Sequence, residues 1–246
     1  MIDVIRSEWT KIRSVRSTVW TLAVTAILMV GFSILLHVVN EASGRGPITG
    51  DEAVSMSVSG TMFASLSMAT LGVLVISGEY RTGGIRTSLT AVPRRMRLLT
   101  AKILAFAGVA LVVSLVASVV AVGAGLLVSQ PPSVDMGEVV RAVTGAGLYL
   151  MACGLFGLGL GTVIRHTPGA IVTVIALMQF LPTLSGQLPP EWGPVVASYF
   201  TTNAGALIVS GQSNEYLGPL SGFGVYLVWV AVTVAAGAVL LQRRDA

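Results

Sequence analysis

The chain has 246 residues, of which 54% are hydrophobic and only 11% are charged, with a formal net charge of +4. Soluble domains carry roughly 25% charged residues, so this chain has too few to cover a water-facing surface. The composition therefore excludes an ordinary soluble domain and indicates an all-α integral membrane protein.

The first 16 residues form a basic segment with helical periodicity. Apolar side chains recur at Ile2, Ile5, Trp9 and Ile12. This pattern is typical of a helix that lies along a membrane surface. We predict an interfacial helix over 1–16, with one aromatic and three basic residues at the interface: Trp9, Lys11, Arg13 and Arg16.

Uncharged runs further along the chain predict six transmembrane helices, because a helix needs about 20 apolar residues to cross a ~30 Å hydrocarbon core. The predicted spans cover residues 18–39, 54–77, 100–128, 140–164, 169–187 and 219–241. Span four is rich in glycine, with Gly157 and Gly161 in GxxxG spacing. Glycines let helices approach closely in lipid, and we expect this packing within one subunit.

A seventh uncharged run, at 192–214, is not expected to cross the membrane. It contains Pro194 near its start and the polar triplet 201–203 at its middle, which leaves two apolar pieces too short to span. We predict a broken external hairpin before the last span, tolerated at depth only where protein covers its backbone.

The distribution of Lys and Arg orients the six spans. With both termini in the cytoplasm, the inner side holds thirteen of the fifteen basic residues and the outer side keeps Arg45 and Arg141. Cytoplasmic loops collect Lys and Arg, so this topology is favoured. It also explains the positive charge without a nucleic-acid partner. Arginines outnumber lysines thirteen to two among many Ala, Gly and Val residues, which favours a GC-rich bacterial source and thus the bacterial inner membrane.

Catalytic motifs are missing from the sequence. Neither lysine, Lys11 nor Lys102, has the glycine pattern of a P-loop. His37 and His166 fall on opposite sides of the predicted membrane, and Cys153 lies among apolar residues. We therefore expect no catalytic residue, bound cofactor or metal site in this chain.

The connection 78–99 holds an unusual concentration of charge. It combines Glu79, the pair Gly83 and Gly84, and a short potential helix that ends before Pro93. Anchoring to anionic lipid accounts for the arginines but not for the acid, the glycine pair or the isolated helix. Such a helix would project from the membrane and could dock into a partner.

These features resemble the membrane subunits of ABC-2 type exporters over the whole chain. The shared pattern is a basic amphipathic start, six spans, an external hairpin and a characteristic second connection. In that connection the matching residues are Glu79, Gly84 with Ile85, Leu89, Pro93, Arg94 or Arg95, and Lys102.

The resemblance implies that 78–99 contains a coupling helix, seated in a separate P-loop ATPase subunit that binds ATP and Mg. The residues assigned to this contact are Glu79, Arg81, Gly84, Ile85, Arg86, Ser88 and Leu89.

The resemblance further implies half of an exporter, completed by a second permease subunit, which we expect to be an identical copy. Spans one, two and five then approach the partner. This makes four polar residues candidates for the substrate path: Thr25, Ser33, Gln179 and Thr183.

The connections expected outside are short, which favours a lipophilic or amphiphilic substrate that enters from membrane lipid. The alternative function is a non-transporting scaffold or sensor partner whose basic loop binds lipid or a regulator. That alternative predicts that only the charge of the loop matters.

Overall fold

The computed structural model describes residues 2–44, 46, 48–84, 90 and 95–243. Its helices, in chain order, are α1 (Ile2–Ser14), α2 (Arg16–Ala42), α3 (Gly50–Val58), α4 (Thr61–Thr82), α5 (Arg95–Ser129), α6 (Met136–Ile164), α7 (Thr167–Ile175), α8 (Leu181–Ser185), α9 (Gly193–Tyr199), α10 (Thr201–Gly205), α11 (Leu207–Ser210) and α12 (Pro219–Arg243). A π-helical turn, Ala176–Phe180, joins α7 to α8.

Six helical segments of the described chain are long and apolar enough to cross a membrane. Span one is α2, span two combines α3 and α4, span three is α5, span four is α6, span five runs from α7 through the π-helical turn to α8, and span six is α12. The described residues contain no strand. The all-α, six-span architecture is thus confirmed, whereas the membrane-surface position of α1 stays a prediction.

The predicted coupling helix falls largely outside the residues that the structure describes. Residues 85–89 and 91–94 lie outside the described residues, and with them Ile85, Arg86, Ser88 and Leu89. The described part of the connection reaches Gly84 on one side and resumes at Arg95 on the other, apart from residue 90.

Several helices begin at side chains that accept a backbone hydrogen bond. Thr49 and Glu52 form a reciprocal capping box at the start of α3. The Asp135 carboxylate accepts from the Gly137 amide at 2.8 Å where α6 begins. The Nδ1 atom of His166 accepts from the Gly169 amide at 3.2 Å at the start of α7. These residues set where spans two, four and five begin.

Span four, α6, lies at the centre of the bundle and packs against α4, α5 and α12. A Cβ atom added to Gly157 would lie 1.9 Å from the carbonyl oxygen of Ala69 in α4. One added to Gly72 in α4 would lie 1.9 Å from the carbonyl oxygen of Gly154. The backbones of α4 and α6 are therefore in direct contact, which confirms that Gly157 packs within the subunit.

The segment between spans five and six is broken into the short helices α9, α10 and α11, as the proline and polar triplet predicted. Arg141 of α6 holds its far end, because its guanidinium donates to the carbonyl oxygens of Val209 and Ser210, both at 3.2 Å. The same guanidinium pairs with Glu138. The location of this hairpin on the outer side stays a prediction.

Candidate functional site: a ring of buried charges and two cavities

Four charged side chains from three helices meet beside the predicted coupling connection. The Nζ atom of Lys102 lies 2.5 Å from Oε2 of Glu8 and 2.8 Å from Oε1 of Glu79. The Nζ atom of Lys11 lies 2.6 Å from Oε1 of Glu8 and 3.2 Å from Oε1 of Glu79. Acid and base alternate around a closed circuit, which we call the charge ring.

The charge ring is withdrawn from water on one side. The Glu8 side chain is 1% exposed and that of Lys102 is 2% exposed, while Lys11 remains 41% exposed. Removing charges from water is costly, and only close pairing compensates for it. The ring therefore specifies one relative position of α1, α4 and α5, since any displacement would leave a buried charge without its counterion.

Pairing also controls the ionisation of the two ring members on α1. Burial alone would raise the pKa of Glu8, but the charge and hydrogen bond of Lys102, helped by Lys11, hold that pKa below its ordinary value of 4.5. Burial alone would lower the pKa of Lys11, but the hydrogen bond to Glu8 and the charge of Glu79 raise it above 10.5. Both groups are thus charged at neutral pH.

Two members of the charge ring flank the 83–94 connection, one on each side. Glu79 lies in the last turn of α4, just before Gly83 ends that helix in a left-handed conformation with φ of 72°. Lys102 lies in α5 about two turns after its first residue, Arg95. A displacement of the connection would therefore reach α1 directly through the ring.

Other basic residues at this end of the bundle bind the end of α12. Arg95 donates to the Leu241 carbonyl oxygen at 2.8 Å, and Arg165 donates to that of Leu240 at 3.3 Å. The Arg165 guanidinium also lies 4.9 Å from the ring centroid of Tyr80 in α4. Cationic groups at a helix C-terminus satisfy carbonyls that have no partner within the helix.

A cavity of about 910 Å³ opens beside the charge ring, and we call it the inner cavity. It lies between the start of α2, the end of α4 and the connection from α6 to α7. Its walls combine apolar side chains such as Leu74 and Ile171 with the polar groups of Glu79, Arg81 and Arg165. This mixture suits a molecule that is apolar along one part and polar at the other.

A second cavity, of about 470 Å³, lies beneath the hairpin and is called the hairpin cavity. It is lined by the start of α4, by Tyr149 of α6, by span five around Gln179 and Thr183, and by α10. Thr61 of α4 lines this cavity and Glu79 belongs to the charge ring, so the two sites are about 27 Å apart along α4.

Span five is irregular where it borders the hairpin cavity. The π-helical turn precedes Pro182, which has no backbone N–H to donate. Two carbonyls in this turn accept from the hairpin instead: Thr201 Oγ1 donates to the Leu177 oxygen at 2.6 Å and Thr202 Oγ1 to the Met178 oxygen at 2.7 Å. The hairpin thus supplies hydrogen-bond donors to carbonyl oxygens of span five, which lipid could not do.

The sequence-predicted path residues fall into two groups. Gln179 and Thr183 share the hairpin cavity, whereas Thr25 and Ser33 do not line it. Thr25 hydrogen-bonds to Ser67 at 2.9 Å, and Ser33 donates to the Ala121 carbonyl oxygen at 2.8 Å. In this conformation the hydroxyl of Thr25 joins α2 to α4 and that of Ser33 joins α2 to α5. The role of both residues in a substrate path stays a prediction.

The predicted coupling and interfacial residues are also separated. Glu79 and Lys11 enter the charge ring, while Arg81 is exposed and lines the inner cavity. Exposed side chains of the N-terminal segment include Trp9, Arg13 and Arg16.

Glu8 is not among the residues predicted from the sequence. Its signal was available, because Glu8 follows Ile5 by three residues and precedes Ile12 by four, which places an acid on the apolar face of α1.

The helices and their apolar surfaces define a multi-pass membrane protein, with a charged cluster at one end of the bundle and cavities at both. A family model described as ABC-2 family transporter protein matches residues 4–185. The chain belongs to this family, and it is a permease component of an ABC transporter rather than the ATPase itself. The family implies partnership with an ABC ATPase subunit. No curated protein matches the chain significantly.

The matched region begins within α1 and ends with α8. It therefore includes all four members of the charge ring and the span-five side of the hairpin cavity. The hairpin and span six lie beyond it.

Proposed function

We propose that this chain is the permease half of an ATP-driven exporter and couples ATP hydrolysis by a separate ATPase subunit to export of a lipophilic or amphiphilic substrate. The observation that carries this proposal is the charge ring. It joins the helices on both sides of the 83–94 connection to α1 through buried ion pairs. A docked connection attached in this way transmits displacement, whereas a solvated loop would absorb it.

In this proposal the partner subunit hydrolyses ATP. It binds ATP and Mg and changes shape on hydrolysis, and the coupling residues on either side of Gly84 receive that motion. Glu79 then has two roles, since it belongs to the coupling connection and pairs with Lys102 in the charge ring. The motion would enter spans two and three together with α1.

The inner cavity supports the substrate class. Its volume of about 910 Å³ falls within the range of small-molecule sites, and its walls are mostly apolar with a few charged groups. Beside it, only 22% of the apolar stretch of span one is buried, which leaves surface for lipid or a second permease copy. We propose a homodimer in the bacterial inner membrane, with both termini in the cytoplasm.

The test replaces residues 84–89 by a flexible Gly/Ser linker and measures co-purification with the partner ABC ATPase subunit, together with ATP turnover. We expect both to be lost. A linker of equal length at residues 43–48, between α2 and α3, is the matched control and should retain both. Unchanged association and turnover in the 84–89 variant would refute the proposal.

A further variant separates coupling from the scaffold function. It carries the residues of 84–89 in shuffled order, with composition and charge preserved. Loss of ATPase association supports a folded coupling helix. Full retention would favour a loop that acts only through its charge.

A further inference from the structure

The hairpin cavity is polar but contains no charged side chain. Seven of its lining residues carry hydroxyl or amide groups: Thr61, Ser65, Tyr149, Gln179, Thr183, Thr202 and Asn203. Such a density of polar groups within membrane spans is costly unless the groups meet hydrogen-bonding partners. Its volume of about 470 Å³ is enough for the head of an amphiphile.

The hydroxyl protons of the four Thr and Ser residues in this lining are already donated to backbone carbonyls. Thr61 and Ser65 each donate to a backbone carbonyl oxygen of α3 or α4 at 2.8 Å. Thr183 and Thr202 each donate to carbonyl oxygens of the π-helical turn at 2.7 Å. The amide of Asn203 donates to the Ala197 carbonyl oxygen at 2.9 Å. What these side chains still offer to a ligand is therefore oxygen lone pairs, which are acceptors.

Gln179 differs from these Thr, Ser and Asn side chains. Within the described part of the chain, no hydrogen bond joins its side-chain amide to another protein group. It lies in the π-helical turn, a distortion that is frequent at functional sites in helices. A primary amide in a membrane span needs a partner, and the cavity it borders is where a ligand could supply one.

We propose that the hairpin cavity binds the uncharged, hydroxyl-rich head group of an amphiphile, and that this is the class of molecule exported. The acceptor lone pairs of the lining receive the ligand's O–H protons, and Gln179 contributes one further acceptor and two donors. A head with a negative charge has no cationic partner among the lining residues and is excluded. This assignment rests on the proposed export function, because it names the substrate.

The binding test uses the full chain in phosphatidylcholine nanodiscs, with empty nanodiscs as the baseline. Three probes share one alkyl chain: an alkyl glucoside, its fully O-methylated analogue and an alkyl sulfate. We expect calorimetric titration to show the glucoside binding about tenfold or more tightly than either analogue, since O-methylation removes every donor but keeps the acceptors. Equal affinity of the three probes would overturn the proposal.

Variants locate the site. Gln179→Leu and Thr183→Val should each weaken glucoside binding, the former by about tenfold. Thr173→Val is the matched control, since Thr173 lies on the same span, donates to Gly169 in its own helix and does not line the cavity. Binding that is insensitive to Gln179→Leu and Thr183→Val would place the ligand elsewhere and overturn the proposal.

A last measurement distinguishes cargo from resident lipid. In the complex with its ATPase, the glucoside should raise ATP turnover and the O-methylated analogue should not. Binding without stimulation would overturn the assignment as cargo. If the chain binds the glucoside but associates with no ATPase, the export function fails while the binding site stands, so the two failures are distinguishable.

Discussion

Lys102 in α5 and Glu8 in α1 form a buried ion pair with 2.5 Å between Nζ and Oε2, although they are 94 positions apart in the sequence. Both side chains are almost fully withdrawn from water. The pair ties the N-terminal helix to the start of span three, and Glu79 extends the link to span two. The position of α1 is thus set by charge as well as by apolar packing.

Replacing Lys102 by Met should destabilise the protein strongly. The substitution preserves much of the side-chain volume but leaves Glu8 buried without its closest counterion, at a cost of about 3 kcal/mol. Thermal unfolding in nanodiscs measures the loss. Arg97→Met, an exposed position on the same helix, is the control and should change stability by less than about 0.5 kcal/mol.

The double variant Glu8→Gln/Lys102→Met tests whether the two residues act as a pair. Because it removes both charges, it should be more stable than Lys102→Met alone. Strictly additive losses from the two single substitutions would contradict a direct interaction.

The contribution of Glu8 to the stability of the folded protein should depend on pH. Its pKa is lower in the folded protein than the ordinary 4.5, so its stabilising effect is present above that value and is lost as the pH falls through the folded pKa. We expect the difference in melting temperature between the natural chain and Glu8→Gln to be constant from pH 7 to about 5, then to narrow. Glu41→Gln, at an exposed position, is the control. A difference that stays constant at pH 3 would contradict this mechanism.

Much of the fold could be predicted because the signals that specify it are local. Uncharged runs mark the spans, and Pro194 with the triplet 201–203 marks the broken hairpin. Gln179 could be singled out because an amide in an apolar run is conspicuous in any fold. These features could be predicted because each depends only on residues that are close together in the sequence.

The charge ring and the π-helical turn could not be predicted in this way. Glu8 and Lys102 are ordinary charges in the sequence, and only the packing of α1 against α5 brings them together. Likewise, the sequence did not indicate that Thr201 and Thr202 would donate to carbonyls of span five, because these contacts form only where the hairpin packs against the π-helical turn. Both sites depend on contacts between distant segments.

Spans two and four pack too closely at Gly157 to accommodate an added methyl group. Gly157→Ala would place its Cβ against the Ala69 carbonyl, so α4 and α6 must separate, at a cost of about 2 kcal/mol. Gly123→Ala, in α5, meets nothing within 4 Å and should leave stability unchanged or slightly higher. Thermal unfolding of the two variants side by side provides the measurement, and equal stability would contradict the close approach.

The hairpin should stabilise span five through two hydroxyl groups. Thr201→Val/Thr202→Val keeps the shape of both side chains but deprives the Leu177 and Met178 carbonyls of their partners. Hydrogen bonds between helices in membranes contribute about 0.6 kcal/mol on average, so we expect a loss of about 1 to 2 kcal/mol for the pair. The melting temperature in nanodiscs measures it, with Thr173→Val as the control, since that hydroxyl bonds only within its own helix. Because Met178 lines the hairpin cavity, the double variant should also admit water to span five, seen as faster exchange of its amide protons. Amide exchange equal to that of the control would show that the π-helical turn does not depend on the hairpin.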